Sequence, residues 1–156
     1  MKKIFALFTM ILVFSACTKI IKDVNIDKVF NSTIFCGLEP DISYYELCNR
    51  MGEPNDYYKY EDRYESSHNP LYYTPYGKIM CWWSGSKRYP IGSIEFTPHQ
   101  NIHIRLTEIL DINPSDYGIS YNTKKIKLAN KNYPIMYYIT LEDMEVKKIW
   151  MGTYRD

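Results

Sequence analysis

From residue 57 onward the chain is a series of short apolar segments, most of which alternate apolar and polar residues. Alternation with a period of two places the apolar side chains on one face of a β-strand. Pro, Gly, Asn and Ser residues stand between the segments and favour turns. The pattern predicts a sheet built from several short strands. Seven segments are strand candidates: residues 57–64, 78–83, 93–96, 102–106, 124–128, 135–141 and 146–151.

One helix is clearly marked ahead of these segments. Ser43 and Glu46 have the spacing of a capping box, in which each side chain bonds the backbone N–H of the other residue. Gly52 suits the left-handed conformation that ends a helix, and Pro54 prevents the helix from continuing. The residues between these signals form one apolar stripe at helical spacing, made of Tyr44, Leu47, Cys48 and Met51.

Together these patterns predict an α+β fold. We expect one or two short helices packed on an antiparallel β-sheet of five to seven strands, in a single domain that spans residues 34–156. The two preceding segments, residues 1–16 and 17–33, have a different composition. They are therefore interpreted separately.

The start of the chain has the composition of a secretory signal. Lys2 and Lys3 supply a basic region, and residues 4–14 form an apolar stretch of eleven residues that is interrupted only by Thr9. A membrane-spanning helix needs about 20 residues, so this stretch is short for a stable anchor. The small residues Ser15 and Ala16 follow it, as they do at a signal-peptide cleavage site.

Residues 14–17 (Phe-Ser-Ala-Cys) resemble a bacterial lipobox, where the cysteine thiol is acylated and the cysteine becomes the new N-terminus. The resemblance implies a lipoprotein signal peptide over residues 1–16 and palmitate-type lipidation at Cys17. It also implies two or three acyl chains, which hold far more firmly than the marginal binding of one chain. Thr18, which stands where an inner-membrane retention signal has Asp, points to an outer-membrane anchor that faces the periplasm. A freely secreted chain and an uncleaved anchor are the alternatives.

The mature chain is expected to begin with Cys17 and a polar tether that extends to residue 33. Removing residues 1–16 takes away two lysines and no acid, so the 19 basic and 18 acidic residues of the whole chain become 17 and 18. A nearly neutral chain without a basic cluster gives no electrostatic reason to expect nucleic-acid binding. The expected partners are the membrane, reached through the N-terminal lipid, and a protein of the envelope.

Three cysteines remain after Cys17: Cys36, Cys48 and Cys81. An odd number allows at most one internal disulfide with one thiol left over. The favoured interpretation is that all three are small buried apolar residues, and a Cys36–Cys48 disulfide is the alternative.

The helix and the strands after it resemble the small outer-membrane lipoprotein A family (SmpA/OmlA, BamE-like). Ser43 takes the position of the family's Thr, Leu47 that of its apolar residue, and residues 51–54 (Met-Gly-Glu-Pro) that of its Leu-Gly-x-Pro motif. Residues 81–83 and the segments 94–96 and 102–106 fit the strands that follow, so the match covers about half of the chain. The same layout of helices on an antiparallel sheet occurs in β-lactamase inhibitor proteins. The resemblance implies a binding module that is not an enzyme.

Residues 57–76 contain seven tyrosines, a residue type that is favoured in binding surfaces because it offers a large contact area with a polar tip. Those beside loop-forming residues are the candidates for partner contact: Tyr57, Tyr72, Tyr73 and Tyr76. The alternative is that most of these rings cover the sheet.

Features of catalytic or metal sites are weak in this sequence. His99 and His103 are four residues apart, but a turn and a strand are expected there instead of a helix, so no metal site is predicted. Glu61, Asp62 and Glu65 are interpreted as a solvated strand edge. No cofactor is expected, and a small cell-wall hydrolase is the least favoured class.

The function expected is that of a non-enzymatic, protein-binding envelope lipoprotein with a role in outer-membrane assembly or integrity. The alternative is an inhibitor or immunity lipoprotein that neutralises a toxin or enzyme.

Overall fold

The structure, a computed structural model, describes residues 18–22, 28–61, 66–82, 90–129 and 135–153. In this part of the chain eight strands form one sheet, in the order β1-β6-β7-β8-β5-β4-β3-β2. Neighbouring strands are antiparallel except β1 and β6, which are parallel. The strands are β1 (Thr18–Lys22), β2 (Asp56–Glu61), β3 (Ser66–Tyr73), β4 (Gly77–Trp82), β5 (Ser93–Pro98), β6 (Lys125–Ala129), β7 (Ile135–Glu142) and β8 (Glu145–Thr153).

The described helices are short and lie between the strands in sequence. They are α1 (Lys28–Ile34), α2 (Tyr44–Met51), α3 (Leu106–Ile109) and a 3₁₀ helix at Pro114–Tyr117. The predicted helix is confirmed as α2. The Ser43 hydroxyl accepts a hydrogen bond from the Glu46 backbone N–H at 3.1 Å, and Gly52 ends the helix at a φ of 79°. The Glu46 carboxylate accepts a hydrogen bond from Arg50 Nη2 at 2.6 Å, which supports the same helix from its exposed side.

The prediction of an α+β fold with helices on an antiparallel sheet is wrong. The described residues form a sheet-dominated fold, in which an eight-stranded mixed sheet carries three short α-helices. The sheet is mixed because β1 runs parallel to β6, with Thr18 opposite Lys125 and Lys22 opposite Ala129. It is larger than expected because two of its strands, β1 and β3, lie in segments whose sequence does not look like a strand.

Strand β3 lies where the sequence, Ser-Ser-His-Asn-Pro, predicted a loop. The first six residues of the strand nevertheless pair with β2, from Ser66 opposite Glu61 to Leu71 opposite Asp56. Its ladder with β4 begins only at Leu71, so Pro70 lies just outside that ladder. Pro70 is opposite Tyr57 in the ladder with β2 and has no partner in β4. Proline has no N–H to donate to a neighbouring strand, so it is tolerated where a strand is paired on one side only.

The tether expected over residues 17–33 is also wrong where the structure describes it. Residues 18–22 form β1 and residues 28–33 belong to α1. Ile21 of β1 and Phe30 of α1 are both buried in the core. The described residues of this segment therefore belong to the fold.

Residues 102–106, predicted as a strand, form only an isolated bridge between Arg105 and Glu145. Ile104 and Leu106 are buried as the alternation suggested, but Leu106 already belongs to α3. The predicted strands at residues 78–83, 93–96, 124–128, 135–141 and 146–151 are confirmed, with shifted ends, as β4, β5, β6, β7 and β8.

The core lies on the face of the sheet that the helices cover. Phe35, which follows α1, packs edge-on against Phe96 of β5 and Tyr137 of β7, with ring centroids 6.4 and 6.2 Å apart. Ile42 and Leu47 bring the start of α2 into the same cluster. Along each strand the core residues alternate with residues that point to the opposite face, here called the outer face.

A two-residue turn at Asp143 and Met144 joins β7 to β8. Both residues have positive φ angles, 51° and 67°. This is the pattern of a type I′ turn, whose twist matches that of a hairpin. A register shift between Thr140 and Leu141 follows within the ladder, and both Lys147 and Lys148 are exposed beside it.

None of the described helices is both long enough and apolar enough to cross a membrane.

Candidate partner-binding surface

Exposed tyrosines gather around β2, the last strand in the sheet order. On the helix side, Tyr57 of β2 bonds Tyr44 of α2, with their hydroxyl oxygens 2.7 Å apart. Tyr45, next to Tyr44 in the first turn of α2, is 75% exposed. The bond therefore holds exposed Tyr57 against half-buried Tyr44, and exposed Tyr45 is the next residue of the helix.

The outer face contributes aromatic side chains at the same edge. Tyr58 of β2 packs edge-on against Trp82 of β4, with ring centroids 5.7 Å apart. Tyr73, at the end of β3, is 54% exposed. Its backbone N–H donates to the Asn55 side chain at 2.9 Å, which ties the end of β3 to the start of β2. We call Tyr45, Tyr57, Tyr58 and Tyr73, together with the side of β2 that pairs with no other described strand, the tyrosine edge.

Tyr76 lies in the turn between β3 and β4 and is exposed there. The turn is held by Thr74, whose hydroxyl donates to the Gly77 carbonyl at 3.0 Å and accepts from the Gly77 N–H at 3.2 Å. A Cβ at Gly77 would lie 2.3 Å from the Thr97 carbonyl oxygen, so the close approach of β4 to β5 requires glycine. Tyr76 is thus presented on a firmly held turn.

Tyr72 was predicted to contact a partner, and this prediction is wrong. Its side chain is only 2% exposed, because it points to the core face of β3. Its hydroxyl donates to the Gly52 carbonyl at the end of α2, at 3.2 Å. Burial, with the neighbouring thiols Cys48 and Cys81 as smaller causes, raises the pKa of Tyr72 well above its usual value. Tyr72 therefore joins α2 to the sheet instead of meeting a partner.

The three described thiols are free, so the Cys36–Cys48 disulfide is wrong. Cys81 is buried as expected and Cys48 is half-buried, whereas Cys36 is exposed, contrary to the prediction that all three are buried. Burial raises the pKa of Cys81 to about 12 and also raises the pKa of Cys36. Both thiols therefore stay protonated near neutral pH and are poor nucleophiles.

The histidines and carboxylates take part in local structural contacts. His99 Nε2 lies 2.9 Å from the Thr74 carbonyl oxygen, and His103 Nδ1 lies 3.1 Å from Glu145 Oε2. Among the described residues, no group of three or more His, Cys, Asp or Glu side chains is placed to hold a metal ion. The side chain of Glu61 is not described. Asp62 and Glu65 lie outside the described residues, as do Cys17 and the predicted signal peptide.

A cleft of about 360 Å³ lies beside the β7–β8 turn, and charged side chains line it, among them Arg105, Asp143 and Glu145. Hydrogen bonds from His103 and Lys147 lower the pKa of Glu145. A carboxyl group with a lowered pKa stays ionised at neutral pH, so Glu145 is unsuited to donate a proton. Glu145, at the border of this cleft, forms ion pairs with His103 and Lys147.

Comparison of the chain with models of protein families, with curated proteins and with solved structures found no match. The resemblance to the small outer-membrane lipoprotein A family therefore stays a prediction. Sequence reasoning missed Tyr45, although its place opposite the apolar stripe of α2 is a signal of exposure. It also missed that β2 is an edge strand, which local sequence does not reveal because strand order depends on distant segments.

Proposed function

We propose that the chain is a non-enzymatic lipoprotein of the bacterial envelope, anchored through acylated Cys17, that binds a protein partner along the tyrosine edge. The leader and the lipobox-like residues 14–17 support the anchor. The outer membrane, facing the periplasm, is the proposed location, and a role in outer-membrane assembly or integrity is the proposed context. The proposal of binding depends mainly on one observation, the exposed tyrosines that flank both faces of edge strand β2.

An edge strand presents backbone N–H and C=O groups that a strand of another protein can pair with. In such a complex the added strand gains affinity from main-chain hydrogen bonds and specificity from side chains on either face. Tyr57 on the helix side and Tyr58 on the outer face stand in those positions. Tyr45 and Tyr73 extend the contact beyond the strand, and tyrosine is among the residues that dominate binding energy at interfaces.

A pull-down from detergent-solubilised envelopes tests this proposal. The lipidated protein serves as bait, beside a double variant, Tyr45→Ala with Tyr73→Ala, that removes two exposed rings without touching the core. Tyr121→Ala is the matched control, because Tyr121 is 72% exposed and lies before β6, at the other end of the sheet order. The proposal expects a partner that the parent and Tyr121→Ala proteins recover and the double variant loses.

Recovery of the barrel-assembly machinery in this pattern would support a role in outer-membrane assembly. Recovery of a toxin or an enzyme in the same pattern would instead support the inhibitor or immunity alternative. A partner that the double variant retains in full would contradict the tyrosine edge as the binding surface.

A further inference from the structure

At its β1 end the outer face combines lysine side chains with aromatic and aliphatic ones. Four neighbouring strands place a single row of side chains there, in which Ile20 of β1 is opposite Lys127, Lys127 is opposite Tyr138, and Tyr138 is opposite Trp150. Lys22 and Lys125 flank this row on the same face, because Lys22 is two residues from Ile20 in β1 and Lys125 is two residues from Lys127 in β6. We call these six residues the lysine–aromatic face.

Contacts within the lysine–aromatic face hold the aromatic rings in place. Tyr138 and Trp150 pack edge-on with centroids 5.4 Å apart, and the Lys127 ammonium lies 5.5 Å from the centre of the Tyr138 ring. The Trp150 ring also covers Gly152, where a Cβ would lie 2.2 Å from it. The rings therefore lie along the sheet, and the aliphatic side chain of Ile20 beside them is 61% exposed.

The charge on this face is positive and largely uncompensated. Lys148, next to the face, is paired with Glu95 at 2.9 Å. Within the part of the chain that the structure describes, Lys22, Lys125 and Lys127 form no ion pair. The opposite, helix-bearing side has the other sign in the segment between β5 and β6, which carries three acids, Glu108, Asp111 and Asp116, against Arg105 and Lys124.

We propose that the lysine–aromatic face is a membrane-contacting surface that seats the sheet on anionic lipid headgroups. This inference rests on the proposed anchor, because Cys17 immediately precedes the first residue of β1. Three residues of extended chain span about 10 Å, so Ile20 can lie no further than that from an acylated Cys17. The headgroup layer on each side of a bilayer is about 5–8 Å thick. An anchor at Cys17 therefore brings the start of β1 to the headgroups.

The chemistry of the face decides which side of the sheet meets the lipid. Anionic headgroups attract juxtamembrane lysines, and tyrosine and tryptophan favour the membrane interface because each ring has a polar tip. The exposed Ile20 adds an apolar contact next to the anchor. The acidic helix-bearing side would be repelled by the same headgroups, so it turns towards solvent. The tyrosine edge lies at the other end of the sheet order, seven strands from β1.

Vesicle binding by the mature chain without acyl groups tests this inference separately from the anchor. The chain of residues 17–156 carries Cys17→Ser, and sedimentation is measured with phosphatidylglycerol-containing and pure phosphatidylcholine vesicles. Binding is expected with the anionic vesicles only and is expected to fall as salt is added. Lys22→Gln and Lys125→Gln are each expected to weaken it about five-fold, the factor that corresponds to about 1 kcal/mol for one lysine near the surface.

The matched control is Lys59→Gln, because Lys59 is an exposed strand lysine of β2 at the opposite end of the sheet. It is expected to leave binding unchanged, and circular dichroism verifies that each variant is folded. Equal weakening by Lys59→Gln, equal binding to both kinds of vesicle, or binding to RNA without binding to anionic vesicles would overturn the inference. Palmitate labelling of the parent chain tests the lipid anchor independently. The proposal of the anchor and the proposal of the membrane-contacting face can therefore be contradicted separately.

Discussion

The hydroxyl oxygens of Tyr44 and Tyr57 lie 2.7 Å apart and join the first turn of α2 to edge strand β2. This bond adds to the burial of Leu47 and to the bond from Tyr72 to Gly52, which also hold α2 against the sheet. Tyr57→Phe removes the bond between Tyr44 and Tyr57 and is expected to lower the free energy of unfolding by about 0.5–1.5 kcal/mol, the usual net contribution of one hydrogen bond. Urea unfolding measures the change. Tyr45→Phe is the control, since Tyr45 is exposed on the same helix turn, and an equal loss in both variants would contradict the account of this bond.

Stability is expected to fall as the pH rises from about 9 to 12. Burial raises the pKa of Cys81 from 9.0 to about 12 and that of Tyr137 from 10.0 to about 12. In this range the unfolded chain has released these protons while the folded chain still holds them, so unfolding becomes more favourable with rising pH. Each such group contributes at most about 1.4 kcal/mol per pH unit.

Urea midpoints measured from pH 8 upward test this dependence. Cys81→Ala removes the group whose unfolded pKa is lowest, so it is expected to flatten the fall between pH 9 and 10. Its lower stability at pH 8 does not affect that slope. An unchanged slope in Cys81→Ala would contradict a protonated, buried thiol at this position.

Trp150 lies flat over Gly152, so Gly152→Ala is expected to force the ring away from the lysine–aromatic face. A Cβ at Gly152 would meet three ring carbons at 2.2–2.9 Å, and overpacking of this kind typically costs about 1–3 kcal/mol. Thermal unfolding and tryptophan fluorescence measure the loss and the ring displacement. Gly92→Ala is the matched control because a Cβ there would have no neighbour within 4 Å.

The same substitution at Gly77 is expected to cost more than at Gly152. The new Cβ at Gly77 would meet the backbone of Thr97 at 2.3 Å, and a paired strand yields less easily than the end of a side chain. Thermal unfolding of Gly77→Ala, Gly152→Ala and Gly92→Ala is expected to rank them in that order of destabilisation. A Gly77→Ala protein as stable as Gly92→Ala would contradict the close approach of β4 to β5.

The pKa of Glu145 is expected to rise when His103 is replaced. A hydrogen bond from His103 is the largest cause of its lowered pKa, followed by one from Lys147. In His103→Ala the carboxyl group loses this donor, so its titration shifts to higher pH, while Lys147 keeps part of the effect. NMR titration of the Glu145 carboxyl carbon measures the shift, and an unchanged titration would show that the contact does not persist in solution.

The sequence predicted elements whose causes are local and missed those whose causes are distant. The start and end of α2 were predictable because Ser43 and Gly52 act on backbone groups within a few residues. Strand β1 was not predictable, since its five residues show no firm period and its partner β6 lies about a hundred residues later. Strand β3 was missed because Pro70 and its polar neighbours resemble a loop when their pairing with β2 is unknown.

The same difference between local and distant causes applies to the candidate site. Tyrosine enrichment drew attention to residues 57–76, where Tyr57, Tyr73 and Tyr76 are exposed, and their role in binding stays a prediction. The adjacent residues Tyr72 and Tyr73 nevertheless point to opposite faces of β3, one into the core and one outward. Which face is covered depends on the position of the helices, and composition alone does not contain that information.

The anchor at Cys17 is the central claim, because both the proposed location and the proposed membrane-contacting face depend on it. The most direct measurement is metabolic labelling of the full-length chain with palmitate, in parallel with Cys17→Ser, followed by separation of membrane and soluble fractions. The account predicts a labelled, membrane-bound parent and an unlabelled Cys17→Ser protein. A parent chain that takes up no palmitate and is recovered free of the membrane would contradict it.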